Sequence, residues 1–119
     1  MKPPRQALGA EGEAVASAAL SRAGYRILEA NLRTPFGEID LLAQQGDTLC
    51  FVEVKTRSSD AFGHPAEAVT PAKQGRMRKA AAFLIQRRLW DGPCRFDVVA
   101  VTRELDGSLK TEIIPDAFQ

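Results

Sequence analysis

The chain has 119 residues and a net charge of +1, with 45% hydrophobic residues, 26% charged residues and two cysteines. This length supports one hydrophobic core, which predicts a single domain over residues 1–119, and the composition is that of an ordinary globular protein. No apolar run approaches the roughly 20 residues that span a membrane, and the first residues lead into no signal-peptide core. A cytoplasmic protein without membrane contact is therefore expected, and the small net charge by itself gives little support to nucleic-acid binding.

The first half of the chain predicts one helix and three strands. Residues 8–23 are rich in alanine and predict a helix, and residues 25–32 predict the first strand. Residues 36–45 and 48–56 predict two further strands, because Gly46-Asp47 between them suits a two-residue type II′ hairpin turn.

The second half predicts a loop, a second helix and two more strands. Residues 57–70 contain serine, glycine and proline and predict a long loop. Thr70-Pro71 is typical of a helix N-cap followed by proline at the first helical position, and this helix is predicted to end near Arg88. Residues 95–102 and 109–114 predict the last two strands.

These elements predict an α/β fold in the order αβββαββ. The third strand carries apolar residues on both faces, so each face of the sheet needs a covering helix. The crossover from the third strand through the second helix to the fourth strand predicts parallel pairing of those two strands. We therefore expect a mixed sheet of four or five strands flanked by helices.

The hairpin turn determines which residues of its two strands lie opposite each other. Counting back from Gly46-Asp47 places Asp40 opposite Glu53 and Glu38 opposite Lys55. Directly opposed residues lie about 4.5–5.5 Å apart at Cβ, and like charges at that distance destabilise a sheet. A divalent cation bound between Asp40 and Glu53 would offset their repulsion.

Two carboxylates and a lysine in this arrangement are typical of a metal-dependent phosphodiesterase. Glu53 and Lys55 share one face of their strand because side chains alternate with period two. Asp40 and Glu53 on rigid strands suit a hard cation such as Mg²⁺ or Mn²⁺, with the Val54 carbonyl as an additional ligand. Such a cation lowers the pKa of a bound water, while Lys55 orients or deprotonates that water or stabilises the transition state.

Glu13, on the first helix, is a further candidate for this site. It shares a helical stripe with Gly9, Ala16 and Leu20, which aims its carboxylate at the sheet. There it would join the metal shell through water or bind a second ion. The alternative is a solvated acid in the first turns of the helix, where negative charge suits the helix dipole.

Three basic residues are candidates for contacts with a phosphate backbone. Lys73 and Arg76 lie in the first turns of the second helix, and Arg57 follows closely after Lys55. Each has an alternative interpretation, because charged residues on one side of an amphipathic helix or at the end of a strand usually form a solvated surface.

The sulfur and imidazole groups give little support to a second kind of metal site. Cys50 and Cys94 lack metal-ligand spacing, and both are expected to be reduced thiols in the core, with Cys50 on the strand face opposite Glu53. A lone His64 supports no histidine-based metal site.

The order of the candidate residues resembles the PD-(D/E)xK nuclease superfamily. The resemblance extends from about Leu8 to Ile114 and rests on Glu13, Gly37-Glu38-Ile39-Asp40, Phe51-Val52-Glu53-Val54-Lys55 and Lys73-Gln74. More closely, the chain resembles the small YraN-type family of bacterial proteins, which is similar to archaeal Holliday junction resolvases. One departure is that Asp40 is preceded by Glu38-Ile39 and not by proline.

The resemblance implies a restriction-endonuclease-like core and a role for individual residues. Asp40 and Glu53 would be metal ligands, Lys55 the catalytic lysine and Glu13 the helix glutamate of the motif. Gln74 matches a polar position on the helix after the motif and would contact the substrate.

Three hypotheses about function follow. An aspartate followed by Glu-x-Lys would by itself favour a salt-bridged strand, but hairpin register, Glu13 and element order converge on one site. The first hypothesis is a Mg²⁺- or Mn²⁺-dependent endonuclease that hydrolyses DNA, including branched or junction DNA. The second is a nucleic-acid-binding module that acts through a partner, and the third is a structural domain whose acidic hairpin is a remnant. A domain of this size has too little surface to grip a branched duplex alone, so a homodimer or a protein partner is expected.

Overall fold

The computed structural model describes residues 5–59 and 63–119, with side chains from residue 10 onward. Its elements are α1 (Arg5–Arg22), β1 (Arg26–Thr34), β2 (Gly37–Gln45), β3 (Thr48–Ser58), α2 (Pro71–Arg88), β4 (Cys94–Arg103) and β5 (Leu109–Phe118). A short 3₁₀ turn at Pro65–Ala68 lies inside the segment predicted as a loop. Residues 60–62 of that predicted loop lie outside the described residues. The predicted order αβββαββ is confirmed.

The five strands form one mixed sheet in the order β1-β2-β3-β4-β5. The pairs β1–β2, β2–β3 and β4–β5 are antiparallel, whereas β3 and β4 are parallel. The parallel pair follows from the crossover through α2, because the chain must return to the starting end of the sheet before β4 begins. This architecture confirms the predicted fold class and is consistent with a restriction-endonuclease-like core.

The side chains of the sheet form two cores, one under each helix. The α2 core contains the buried residues Ile39, Leu42, Leu49, Phe51, Val69, Met77, Ala80, Ala81, Leu84 and Val98. The α1 core contains Ala16, Leu20, Tyr25, Leu41, Ala43, Cys50, Val52, Val99 and Val101. Full burial of each large aliphatic or phenylalanine side chain contributes about 1.5–3 kcal/mol to folding, so the central strands, which are apolar on both faces, carry most of the stability.

The second helix begins and ends as its sequence predicts. The Thr70 hydroxyl accepts a hydrogen bond from the Lys73 backbone N–H at 3.2 Å, and Pro71 occupies the first turn. The helix ends where Leu89 adopts φ 54°, a left-handed conformation that stops the helical ladder. Within residues 5–59 and 63–119, no helix combines the length and the apolar character that crossing a membrane requires.

The hairpin between β2 and β3 has the predicted turn. Gly46 has φ 60°, and Asp47 is not among the residues with positive φ, which is the type II′ pattern. The predicted register is confirmed from Gln45–Thr48 back to Leu41–Val52. The turn therefore sets the alignment of the strands that carry the candidate site.

The last strand is longer than predicted. β5 continues past Ile114 to Phe118, whose ring stacks on that of Phe96 with centroids 4.8 Å apart. The β4–β5 register shifts next to Phe96, and Asp116 at this point has φ 51°. The Asp116 N–H donates to Asp97 Oδ1 at 3.0 Å, so a buried carboxylate replaces the missing ladder partner.

Asp97 is the centre of a buried polar network on the α1 side of the sheet. Its side chain is fully buried and accepts hydrogen bonds from the Tyr25 hydroxyl at 2.9 Å and from Arg95 Nε at 2.8 Å. Arg95 also donates to Gln45 Oε1 at 2.8 Å, which connects β4 to the end of β2. Burial and the neighbouring Asp97 raise the pKa of Tyr25 to about 12. These bonds satisfy a carboxylate that would otherwise destabilise the core.

The two cysteines differ in their environment. Cys50 is buried on the face opposite Glu53, as predicted. The prediction for Cys94 was wrong, because this side chain is exposed. Cys94 is the first residue of β4 and precedes the part of the strand that either helix covers.

Candidate active site

Asp40 connects β2 to β3 beyond the end of their ladder. The ladder ends at Leu41–Val52, and Asp40 Oδ2 then accepts a hydrogen bond from the Val54 backbone N–H at 2.9 Å. The predicted pairs Asp40–Glu53 and Glu38–Lys55 are therefore not part of this ladder, although the Asp40 and Glu53 side chains are close enough to interact. A side chain takes the place of a backbone acceptor here, and the Asp40 carboxylate lies between the two strands as a result.

Side-chain alternation along β2 breaks at this aspartate. Ile39 and Leu42 both pack in the α2 core, although strict alternation would place residues three apart on opposite faces. Leu41 packs in the α1 core. On the neighbouring strand, Asn31 lies between the ladder partners of Ile39 and Leu41 and has φ 55°, so both strands are irregular at the same level. This irregularity turns the Asp40 side chain toward β3.

Glu53 is a nearly buried carboxylate with one oxygen bonded and one oxygen free. The residue is 4% exposed, and its Oε1 lies 2.6 Å from Lys73 Nζ on α2. Its Oε2 is buried and has no hydrogen-bond partner among the described residues. A buried acceptor without a donor carries a desolvation cost of about 1–3 kcal/mol. The free oxygen is therefore a position where a cation would stabilise the protein.

The two carboxylates affect each other's charge. Burial, and after it the negative charge of Glu53, raises the pKa of Asp40 from its ordinary 3.8 to about 7. The Val54 N–H and the Lys73 ammonium act in the opposite direction. A proton on Asp40 relieves the repulsion because it can be donated to Glu53, and a bound cation would relieve it in the same way.

A small polar cavity opens beside Asp40 on the α2 side, and Lys73, the partner of Glu53, also lines it. Its volume is about 160 Å³, and it is lined by Gly37, Glu38, Asp40, Lys73, Arg76 and Met77. Within residues 5–59 and 63–119, no three Asp, Glu, His or Cys side chains converge closely enough to hold a metal ion on their own. Mg²⁺ commonly binds through one or two carboxylates and completes its shell with water and phosphate oxygens. Asp40 and Glu53, whose Oε2 is buried without a donor among the described residues, fit that mode of binding.

Lys55 and Val54 lie next to the carboxylate pair. Val54 donates its N–H to Asp40, and its carbonyl points toward the same side because both backbone groups of a strand residue face one neighbouring strand. Lys55 shares the Glu53 face by alternation, is half-buried and forms no ion pair with a described residue. The predicted role of each residue remains a prediction.

Glu13 approaches the site from the opposite face of the sheet. Its Oε2 accepts a hydrogen bond from Asn31 Nδ2 at 3.1 Å, and Asn31 lies beside Asp40 on the neighbouring strand. The residues of the same helical stripe, Ala16 and Leu20, are buried in the α1 core as predicted. Glu13 is thus connected to Asp40 through β1, and its role in a metal shell remains a prediction.

Two of the predicted substrate-binding residues, Lys73 and Arg76, line the cavity, whereas Gln74 and Arg57 do not. Arg76 is exposed and lines the cavity with Asp40. Gln74 Nε2 donates to the Val69 carbonyl at 3.0 Å, which braces the turn before α2. Arg57 Nη1 donates to the Gly63 carbonyl at 2.9 Å, and its Nε is buried without a hydrogen-bond partner in the described part of the chain.

The partner of Glu53 is the part of the site that the sequence did not predict. Lys73 was a candidate for phosphate contact, but the structure pairs it with Glu53. The signal for this contact was the Thr70 cap, which places Lys73 in the first turn of a helix that crosses back over the sheet after β3. The distance of that crossing from Glu53 depends on the packing of the α2 core, which no local pattern specifies.

Comparison with known proteins assigns the chain to a family. Residues 12–101 match the sequence profile described as "Uncharacterised protein family UPF0102". The chain is 52% identical over 112 residues to a UPF0102 protein of Syntrophus aciditrophicus, covering 93% of this chain and 87% of that relative. It is 47% identical over 116 residues to a UPF0102 protein of Moorella thermoacetica, covering 96% and 97% of the two chains. These matches confirm the YraN-type family expected from the sequence, whereas membership of the wider nuclease superfamily remains a prediction. The chain therefore belongs to the uncharacterised protein family UPF0102.

Proposed function

We propose that this protein is a Mg²⁺- or Mn²⁺-dependent endonuclease that hydrolyses DNA phosphodiester bonds. The observation that carries the proposal is the Asp40–Glu53 carboxylate pair, in which Asp40 lines a polar cavity and one buried Glu53 oxygen has no donor among the described residues. Buried polar atoms usually have partners, and the groups that can satisfy this oxygen are a proton carried by Asp40 or a bound cation. We therefore interpret the Asp40–Glu53 pair as a cation-binding site.

Asp40 and Glu53 would hold the divalent ion, with the Val54 carbonyl beside them and Glu13 as an outer participant through Asn31. When bound, such a cation supplies an activated water and neutralises charge on the phosphoryl oxygens. The protein's own contribution is to hold two carboxylates close together on rigid strands. The hydrogen bond from Val54 to Asp40 fixes one of them, and near-complete burial fixes the other.

Lys55 is the residue we assign to the reacting water or to the transition state. It shares the Glu53 face, and it has no ion-pair partner among the described residues that would neutralise its charge. An ammonium on the strand face of Glu53 is suited to orient a water or to stabilise charge on a phosphate. Arg76, which lines the cavity, would contact the nucleic-acid backbone, and Gln74 and Arg57 are the further candidates for such contacts.

The finer parts of the proposal rest on resemblance. They are membership of the PD-(D/E)xK superfamily, a preference for branched or junction DNA, and action as a homodimer or with a protein partner. A domain this small buries too little surface to bind a branched duplex as a single copy. A Mg²⁺ ion held by Asp40 and Glu53 would take its remaining ligands from water and phosphate oxygens. A phosphodiester is therefore the substrate class that a cation at this site would favour.

The test is a cleavage panel with Mn²⁺ over junction, flap, single-stranded and duplex DNA. Asp40→Ala and Lys55→Met are each expected to lower the cleavage rate by about 10²-fold or more, the size seen when a transition-state contact is removed. Asp47→Ala is the matched control, since Asp47 is exposed in the hairpin turn of the same strands. Failure of the wild-type protein to cut any of these substrates, with no effect of Asp40→Ala, would refute the proposal.

One observation favours a second candidate function, a nucleic-acid-binding module that acts through a partner. Lys73 already neutralises Glu53, so the acidic hairpin is partly charge-balanced without a metal ion. A scaffold of this kind would bind DNA with a strong salt dependence and without turnover. Binding that survives Glu53→Ala, with no cleavage by the wild-type protein, would select this function.

A further inference from the structure

We propose that Lys73 is an exchangeable counter-ion for Glu53. A divalent cation displaces its ammonium from the carboxylate, and the released ammonium then binds a phosphate group of the substrate. This inference rests on the proposed function and extends it to a residue outside the Asp-Glu-x-Lys pattern. In this proposal the ammonium of Lys73 neutralises Glu53 before the divalent cation binds, and the cation neutralises Glu53 afterwards.

The two partners of this ion pair have different freedom to move. The Glu53 side chain is 5% exposed and is held on the central strand of the sheet, whereas the Lys73 side chain is 38% exposed and enters from the solvent side. A lysine has four rotatable carbon–carbon bonds and a strongly hydrated head group. Lys73 can therefore leave the carboxylate at a small cost, while Glu53 remains in place.

The position of Lys73 on α2 is unfavourable for the helix itself. It lies in the first turn, where the helix dipole disfavours cations, and that turn contains no acidic residue to compensate. Its stabilising contact is the one with Glu53 across the sheet interface. The lysine is thus explained by the site and not by helix stability.

Simultaneous binding of the Lys73 ammonium and a divalent cation to the Glu53 carboxylate is unfavourable. Lys73 occupies Oε1 of Glu53, and the free Oε2 of the same carboxylate is the position open to a metal ion. Two positive groups on one buried carboxylate repel each other strongly because the surroundings screen charge poorly. Cation binding therefore drives the ammonium outward.

The cavity provides a place where the released Lys73 ammonium can bind a phosphate group. Lys73 and Arg76 both line it, three residues apart on α2, so their side chains lie on one side of the helix. Together they would form a pair of cations beside the carboxylates, suited to a phosphate group in the cavity. Lys73 would bind the substrate only after the metal ion had arrived.

This exchange predicts effects of opposite sign on two affinities. Lys73→Gln removes the competitor for Glu53, so Mn²⁺ affinity in the absence of DNA should rise by about tenfold, the factor expected for loss of a partly buried charge contact. In the presence of Mn²⁺, the same variant should bind DNA more weakly than the wild type. In EDTA its affinity for DNA should equal that of the wild type, because Lys73 is then engaged with Glu53. A structural salt bridge would instead lower stability and leave the Mn²⁺ affinity unchanged.

The experiment measures Mn²⁺ binding by titration calorimetry for the wild type, Lys73→Gln, Lys73→Met and the control Lys79→Gln. Lys79 is an exposed lysine on the same helix. DNA affinity is measured in parallel in a Lys55→Met background, which under the proposed function cuts about 10²-fold more slowly or less. Unchanged or weaker Mn²⁺ binding by the Lys73 variants would overturn the exchange, and if the wild type still binds Mn²⁺ and cuts DNA, the proposed function stands. If no protein binds Mn²⁺, the exchange and the metal site both fail.

A second experiment measures the chemical reactivity of Lys73 in the wild-type protein. It therefore needs no variant, and a folding defect cannot affect its result. An amine-reactive reagent followed by mass spectrometry reports the accessibility of each lysine. Lys73 should become several-fold more reactive when Mn²⁺ is added, since its ammonium leaves Glu53, while the exposed Lys79 and Lys110 should not change. Equal reactivity of Lys73 with Mn²⁺ and with EDTA would also overturn the proposal.

Discussion

Replacing Asp40 with asparagine should make the metal-free protein more stable at neutral and alkaline pH. The substitution keeps the shape of the side chain, and the amide oxygen can still accept the hydrogen bond from the Val54 N–H. The new amide nitrogen can donate to Glu53, whose Oε2 has no donor among the described residues. What disappears is the negative charge that burial and Glu53 disfavour.

The magnitude follows from the shift in the pKa of Asp40. Its folded value of about 7 lies above its ordinary value of 3.8, so between these limits the folded protein holds a proton that the unfolded chain has released. The free energy of unfolding of the wild type therefore falls as pH rises through this window, by up to about 1.4 kcal/mol per pH unit. Summed over the window, the loss reaches about 4 kcal/mol. Asp40→Asn does not titrate, so its advantage should grow from near zero at the acid end to this value above the folded pKa.

The assay is urea unfolding in EDTA across this pH range, followed by fluorescence of the single tryptophan, Trp90. Trp90 packs against the α2 core and reports its disruption. Asp106→Asn is the control, because hydrogen bonds from Ser108 hold the pKa of Asp106 below its ordinary value. Its difference from the wild type should therefore stay constant at neutral and alkaline pH and change only at the acid end of the range.

Added Mg²⁺ should narrow the difference in stability between the two proteins. A cation at one hundred times its Kd stabilises the folded state by about 2.7 kcal/mol. We expect this gain for the wild type above the folded pKa of Asp40 and no gain for Asp40→Asn. If Asp40→Asn is less stable than the wild type in EDTA at alkaline pH, the carboxylate is a satisfied structural acceptor, and our account of its strain is refuted.

Three further predictions concern the scaffold. Asp97→Ala should lower the free energy of unfolding by about 3–5 kcal/mol, because it leaves Tyr25 and Arg95 without their buried partner. A decrease of less than about 1 kcal/mol, measured by urea unfolding, would contradict this prediction. Thr70→Ala should cost about 1 kcal/mol by removing the cap of α2, measured as a lower Tm, whereas Thr70→Asp should retain most of the stability. Cys94 should be alkylated in the native protein, while Cys50 should react only after unfolding, because it is buried and desolvation raises the pKa of its thiol to about 11. Mass spectrometry measures the alkylation of each cysteine. Equal alkylation of both in the native protein would show that Cys50 is accessible.

Much of the scaffold could be predicted because its signals are local. Gly46-Asp47 set the turn and the register of the hairpin, and Thr70-Pro71 set the start of α2. Apolar residues on both faces of β3 required a helix on each side, and the crossover required a parallel pair. Each of these features depends on neighbouring residues or on the two-fold alternation of a strand.

The geometry of the candidate site depended on contacts between distant segments. The sequence by itself determined that Asp40, Glu53 and Lys55 lie on adjacent strands near one end of the hairpin. Tertiary structure decided that Asp40 bonds to Val54, because the α2 core buries both Ile39 and Leu42 and so breaks the alternation of β2. It also decided that Lys73 neutralises Glu53 and that Glu13 reaches Asn31, because the packing of each helix on its face of the sheet sets those distances. Side-chain patterns specify which face a residue occupies, whereas only the packed core specifies which charges meet.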